Sequence, residues 1–187
     1  MNDAPVPANV EVIRVHVGEL RQMFNSMDPA PFHARDLDPD AEVYIVESAN
    51  DLSHKATLAL SIHVDEPVLD PREQTVLRES IFRYFDNRSQ SARRQLRLMF
   101  RRGRVSLLIG IAFLSSSLIA GELVSQMLAA NAFAEVLRES LLIGGWVAMW
   151  RPLQIFLYDW WPLRADIRLF MRLRDMPVSI QHGPPAA

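Results

Sequence analysis

The chain has 187 residues, 49% of them hydrophobic and 22% charged, with a mean hydropathy of +0.02: the averages of an ordinary soluble protein of one or two domains. It contains no cysteine, which excludes disulfides, thiolate metal sites and a cysteine nucleophile. A net charge of −2 argues against a general nucleic-acid binder.

The averages conceal a strong segregation. Residues 1–70 carry four basic and thirteen acidic side chains, or −9, while residues 71–104 carry ten arginines against three acids, or +7. Residues 105–150 stand at −2 and residues 151–187 at +2, which restores the total. Four segments are therefore expected: an acidic head (1–69), a basic stalk (70–104), an apolar pair of helices (105–158) and a basic tail (159–187).

The head opens with two segments of period-two alternation. In VEVIRVHV (10–17), Val10, Val12, Arg14 and His16 face one way and Glu11, Ile13, Val15 and Val17 the other. In ATLALSIHV (56–64), Leu58, Leu60, Ile62 and Val64 oppose Ala59, Ser61 and His63. Both predict β-strands with one apolar face. Between them GELRQMFNSM predicts a helix with Leu20, Met23, Phe24 and Met27 on one side. PDAEVYIVESANDL predicts a second helix, capped by Asp38 with Pro39 at its first position. Two strands and about 65 residues make a marginal core, so this α+β head is expected to lean on the stalk, borrow a strand or dimerise.

Candidate chemistry in the head is sparse. Asp36, Asp38, Asp40 and Glu47 fall at positions 1, 3, 5 and 12 of a calcium-loop template, but Ala41 stands where the loop needs glycine and Asp38-Pro39 reads as a helix cap. His16 and His63 lie on neighbouring strands without a third ligand at metal-site spacing. No phosphate-binding glycine loop, serine elbow or zincin helix is found. No catalytic, metal or cofactor residue is assigned.

The stalk begins at Asp70-Pro71-Arg72-Glu73, a helix-start pattern with Asp70 as cap and Glu73 at the capping-box position. Leu77, Ile81, Tyr84/Phe85, Ala92, Leu96 and Met99 follow at helical spacing. Arg93, Arg97, Arg101 and Arg104 share one face of that helix.

From Val105 to Leu128 only Glu122 is charged, across 24 residues. About 20 apolar residues cross the ~30 Å hydrocarbon layer, so this segment is expected to span a membrane. It lies too deep in the chain to be a cleaved signal. A second expected span, 136–158, is interrupted by Arg151-Pro152, where a kink is expected and the arginine snorkels to the headgroups. The two are close enough in sequence to return as a hairpin centred near Asn131, which sets Glu122 opposite residues 138–140 and suggests a Glu122–Arg138 pair inside the membrane.

Trp150, Tyr158, Trp160 and Trp161 cluster where an interfacial belt belongs. Beyond them Arg164, Arg168 and Arg172 repeat at four-residue steps beside Leu163, Ile167, Phe170 and Met171, a pattern suited to an interfacial helix on anionic lipid, followed by a loose tail. Both basic flanks point to the cytoplasm by the positive-inside rule. The expectation is thus a two-pass inner-membrane protein with cytoplasmic termini, a non-enzymatic scaffold or accessory subunit. Its expected partners are anionic lipid headgroups and a protein partner or a second copy, with no nucleic acid and no cofactor. A pore or transporter subunit, or a membrane-tethered enzyme, stand as alternatives.

Overall fold

A computed structural model describes residues 10–25, 36–53, 55–65, 71–127 and 132–182. They form β1 (Val10–Val17), a 3-10 turn (Leu20–Met23), α1 (Pro39–Asp51), β2 (Thr57–Val64), α2 (Pro71–Met127), α3 (Ala132–Gln154), a π-helical turn (Ile155–Asp159), α4 (Trp160–Asp175) and β3 (Val178–His182). The chain is mostly helical, with one small sheet of three parallel strands in the order β1-β2-β3. It divides into two units. Unit 1 joins Met1–Ser91 to Asp166–Ala187, and unit 2 is Ala92–Ala165. Unit 2 is therefore an insertion in the connection between β2 and β3.

Unit 1 is built on the two alternating strands. They pair in parallel with Ile13 beside Leu60 and Val15 beside Ile62, so their apolar sets fall on one face as the alternation requires. β3 adds Val178 and Ile180 to that face on the other side of β2. Three helices supply much of the rest of the core: Ile45 and Ala49 from α1, Leu77, Ile81 and Phe85 from α2, and Leu169 and Leu173 from α4; Leu20 and Met23 of the 3-10 turn, with Phe24, Leu37 and Met176, add to it. The head thus both leans on the stalk helix and borrows a strand. Burying a Leu, Ile or Phe side chain is worth about 1.5–3 kcal/mol, and this is what two strands alone lacked.

Both sheet edges carry side-chain blocks. The Tyr44 hydroxyl donates to the Arg14 carbonyl on β1 at 3.0 Å, and Arg78 Nε donates to the Val178 carbonyl on β3 at 3.0 Å. Occupying outward carbonyls in this way discourages pairing with a foreign strand.

Three expectations are corrected. The helix predicted from GELRQMFNSM is only a single 3-10 turn. Its continuation is drawn away because Asn25 N–H donates to the Asp36 carbonyl and Asp38 N–H to the Met23 carbonyl, forming a bridge between Phe24 and Leu37. Met27 lies outside the described residues. The segment after α4 is not only a tail: Val178–His182 form β3, and residues 183–187, expected to be a loose end, lie outside the described residues. Finally, α4 turns Ile167, Leu169 and Leu173 inward, and Phe170 packs on the core, so these side chains are not a lipid-facing stripe.

The cap of α1 is as expected: Asp38 Oδ1 accepts from Asp40 N–H at 3.0 Å, with Pro39 at the first position. This also accounts for the acids of the calcium-like spacing. The expected α2 cap, Asp70, lies outside the described residues.

α1 and α2 are tied by a polar cluster. The Tyr84 hydroxyl donates to Glu42, which also pairs with Arg88, and the Arg88 guanidinium lies 5.5 Å from the Phe170 ring centroid. Burial, then the hydrogen bond and the negative charge of Glu42, hold the Tyr84 hydroxyl protonated well above its ordinary pKa. Unfolding releases that phenol to its usual pKa of about 10, so above that pH the unfolded chain binds fewer protons than the folded one and stability falls. The stabilisation from Tyr84 is thus complete below about pH 10 and is lost as pH rises further. Unit 1 is expected to lose stability in alkali, and Tyr84→Phe to flatten that part of the profile, as read by urea unfolding between pH 8 and about 11. An unchanged profile in the variant would remove this assignment.

Unit 2 contains the remainder of α2 with α3, the π turn and the start of α4. Two helical runs are long and apolar enough to cross a membrane: Gln74–Met127 and Ala132–Asp175, the first the more apolar. Within unit 2 they run side by side in opposite directions. Gly103 meets Ile155 and Phe156, Gly110 meets Ala148, Met149 and Pro152, Leu114 and Ser117 meet Gly145, and Gly121 meets Arg138. Gly103, Gly110 and Ser117 recur every seven residues, the repeat that keeps one seam against a partner helix. Small residues in that seam let backbones approach closely.

Candidate functional site

Of the expected interface residues, those from Arg93 to Arg164 lie on the helices of unit 2, and Arg168 and Arg172 lie on the part of α4 that belongs to unit 1. Between Arg93 and Arg104 there are six arginines and no acid. Arg93, Arg94, Arg97, Arg101, Arg102 and Arg104 are all exposed. Like charges three and four residues apart repel by a few tenths of a kcal/mol each, so a helix bearing this ladder is stabilised by external anions.

Opposite this segment the second helical run changes character. Pro152 has no N–H for the Ala148 carbonyl one turn earlier. That carbonyl approaches the Gly110 backbone, where a Cβ would stand 3.3 Å away. The helix widens into the π turn three residues after Pro152, the kind of local adjustment a proline induces. Gly103 makes room for it: a Cβ there would lie 2.8 Å from Ile155 Cγ2 and 3.3 Å from Phe156 Cζ. Phe100 stacks on Phe156 at 6.1 Å.

The aromatic residues divide into two groups. Trp150, Tyr158 and Trp161 project, with exposures of 73%, 70% and 63%. Trp160 is half-buried, its indole N–H donates to the Phe156 carbonyl at 3.0 Å, and its ring packs edge-on to Trp161. Arg164 lies over the Trp160 ring at 5.6 Å. Arg151 is exposed but forms an ion pair with Asp159 across the π turn at 3.5 Å, a partner not foreseen from sequence.

The remaining arginines separate by unit. Arg168 is exposed on the part of α4 that belongs to unit 1. Arg172 departs from the expected group: its Nη2 donates to the carbonyls of Ser53 and Ala56, both at 2.8 Å, and so clamps the turn that leads into β2. Arg174 pairs with Asp86 and Asp175 and lies 5.8 Å from the Phe82 ring. These bonds raise its pKa and lower that of Asp175 below the usual carboxylate range. A cleft of about 660 Å³ runs beside them between α2, α4 and β3, bounded by Arg78, Phe82 and Val178.

The Glu122–Arg138 pair is not formed. Glu122 accepts from Gln126 Nε2 at 3.4 Å, one turn along its own helix, and Arg138 packs its stem and backbone on Gly121. Gly121, not Glu122, meets Arg138, and no ion pair between Glu122 and Arg138 occurs among the described residues.

The two strand histidines have local partners. His16 Nε2 is 2.9 Å from Asp65 Oδ1 and exposed, whereas His63 is buried with Ser61 Oγ at 3.3 Å. They are cross-strand neighbours in the register. No group of three metal-ligating side chains occurs among the described residues. Comparison with protein families, curated proteins and solved structures finds no match.

Proposed function

We propose that this chain is a two-pass membrane protein that serves as a scaffold or accessory subunit, with unit 1 as its cytoplasmic binding module. The observation that carries the reading is the exposure of the apolar helices. Only 17% of each apolar window is buried, so Leu108, Ile109, Ile119, Ile143, Trp146 and Val147 lie open. A core helix of a soluble protein buries such residues, and a continuous exposed apolar surface of this kind requires another solvent or a partner.

Connectivity supports two crossings over one. Residues on both sides of unit 2 contribute strands to one sheet and side chains to one core. Both flanks therefore share one side of any membrane, and the number of crossings between them is even. An even number favours a crossing by the second, less apolar run as well as the first. The hairpin seam of small residues is the packing expected where lipid offers no hydrophobic drive between helices. The arginines of residues 93–104 orient unit 1 toward the cytoplasm by the positive-inside rule, and each contributes about 1 kcal/mol at an anionic surface.

Carbonate-washed membranes are expected to retain the whole chain. Topology reporters placed after residue 187 and near Asn131 are expected to read cytoplasm and exterior respectively. Release by carbonate, or the same compartment at both positions, would overturn the spanning assignment. Affinity purification in a mild detergent is expected to recover a stoichiometric protein partner, and a lone chain with turnover of its own would sink the scaffold reading.

A further inference from the structure

We infer that unit 2 carries a binding site for one anionic phospholipid, on the flank of α2 beside α3. The inference rests on the membrane reading above and specifies a ligand for it. A groove of about 680 Å³ runs along this flank, lined in order by Leu98, then Arg101 and Arg102, then Val105 and Ser106, then Ile109 and Phe113. These residues recur at three- and four-residue steps, so they form one stripe on the helix.

The order of chemistry along the stripe is that of a phospholipid. The two guanidiniums are exposed towards one end, with only Leu98 beyond them, and no carboxylate among the described residues pairs with either. They offer planar donor sets to a phosphate. The Ser106 hydroxyl lies one turn further, at the level of the glycerol esters. Val105 to Phe113 then extends about 12 Å along the helix, close to one leaflet's share of the ~30 Å hydrocarbon layer. The apolar wall fits an acyl chain, which free phosphate or nucleic acid does not supply.

The test uses the full chain in mild detergent, titrated with phosphatidylglycerol or phosphatidylcholine and read by native mass spectrometry. The wild type is expected to hold one phosphatidylglycerol in preference to phosphatidylcholine. Arg101→Gln/Arg102→Gln is expected to weaken that binding about 30-fold, the loss of two basic contacts. Arg97→Gln/Arg104→Gln removes the same charge outside the groove and is expected to change it less than about threefold. Equal losses in the two double variants, or equal binding of the two lipids, would overturn the site. Carbonate extraction of the same variants separates the two ideas: retention without selective lipid binding rejects the groove alone, and release rejects the membrane reading itself.

Discussion

Replacing Phe85 with alanine is expected to destabilise unit 1 by about 3–5 kcal/mol, the usual cost of emptying a buried phenylalanine site. Phe85 is wholly buried among side chains of the sheet and α4, although it lies on the helix that reads from sequence as a stalk. A domain's entire stability is commonly about 5–15 kcal/mol, so the variant is expected to expose unit 1 to protease under conditions where the wild type resists. Phe82→Ala provides the comparison. That ring is 48% exposed and chiefly contacts Arg174, so a loss of about 1 kcal/mol or less is expected. Pulse proteolysis of the full chain across a urea series measures both. Equal, small effects would mean that α2 is a bare stalk and that the core assignment is wrong.

The second large effect is expected in the helix seam. At Gly145 a Cβ would stand 2.7 Å from Leu114 Cδ1, 3.3 Å from Leu114 Cα and 3.4 Å from Ser117 Cβ. The methyl end of Leu114 can swing aside, but its backbone cannot, so Gly145→Leu drives the helices apart. Overpacking of this kind costs about 1–3 kcal/mol. At Gly144, one position away, nothing lies within 4 Å, and Gly144→Leu is expected to be nearly neutral. Because the chain has no native cysteine, a disulfide between Gly121→Cys and Arg138→Cys reports the seam without background. Its yield is expected to collapse with Gly145→Leu and to persist with Gly144→Leu. The reverse ranking would reject the register.

What the sequence disclosed was local. The alternation of 10–17 and 56–64 fixed both strands and their inward faces, because period two survives any tertiary context that buries one side. Asp38-Pro39 marked the start of α1, since a cap needs only its neighbours. The apolar runs were visible from length and composition alone. The failures were long-range. Val178-Ser179-Ile180 alternates too, but five residues carry little signal, and what makes them a strand is the vacant edge of β2, where Ser179 Oγ bonds to the Leu60 carbonyl across 119 residues of chain. Residues 24–25 lost their helix to hydrogen bonds with residues 36–38.

The candidate interface divides in the same way. Arg164, Arg168 and Arg172 look equivalent by spacing, yet Arg164 stacks on Trp160 while Arg172 holds two carbonyls of the head. Periodicity assigns a face; it does not show which neighbour that face meets. The seven-residue recurrence of Gly103, Gly110 and Ser117 was available in the sequence and would have given the seam before the structure did.

The discontinuity of unit 1 also governs the order of events during translation. β1 and β2 leave the ribosome well before β3, and at 5–20 residues per second the intervening chain takes roughly 6–23 s to make. Throughout that interval β2 has an unpaired edge and the core lacks Leu169 and Leu173. The nascent head must therefore wait, half-assembled and open to mispairing or to a chaperone, until the inserted helices have emerged. Ribosome-bound chains halted before residue 166 should accordingly remain protease-sensitive in the head, and release of the finished chain should be what closes it.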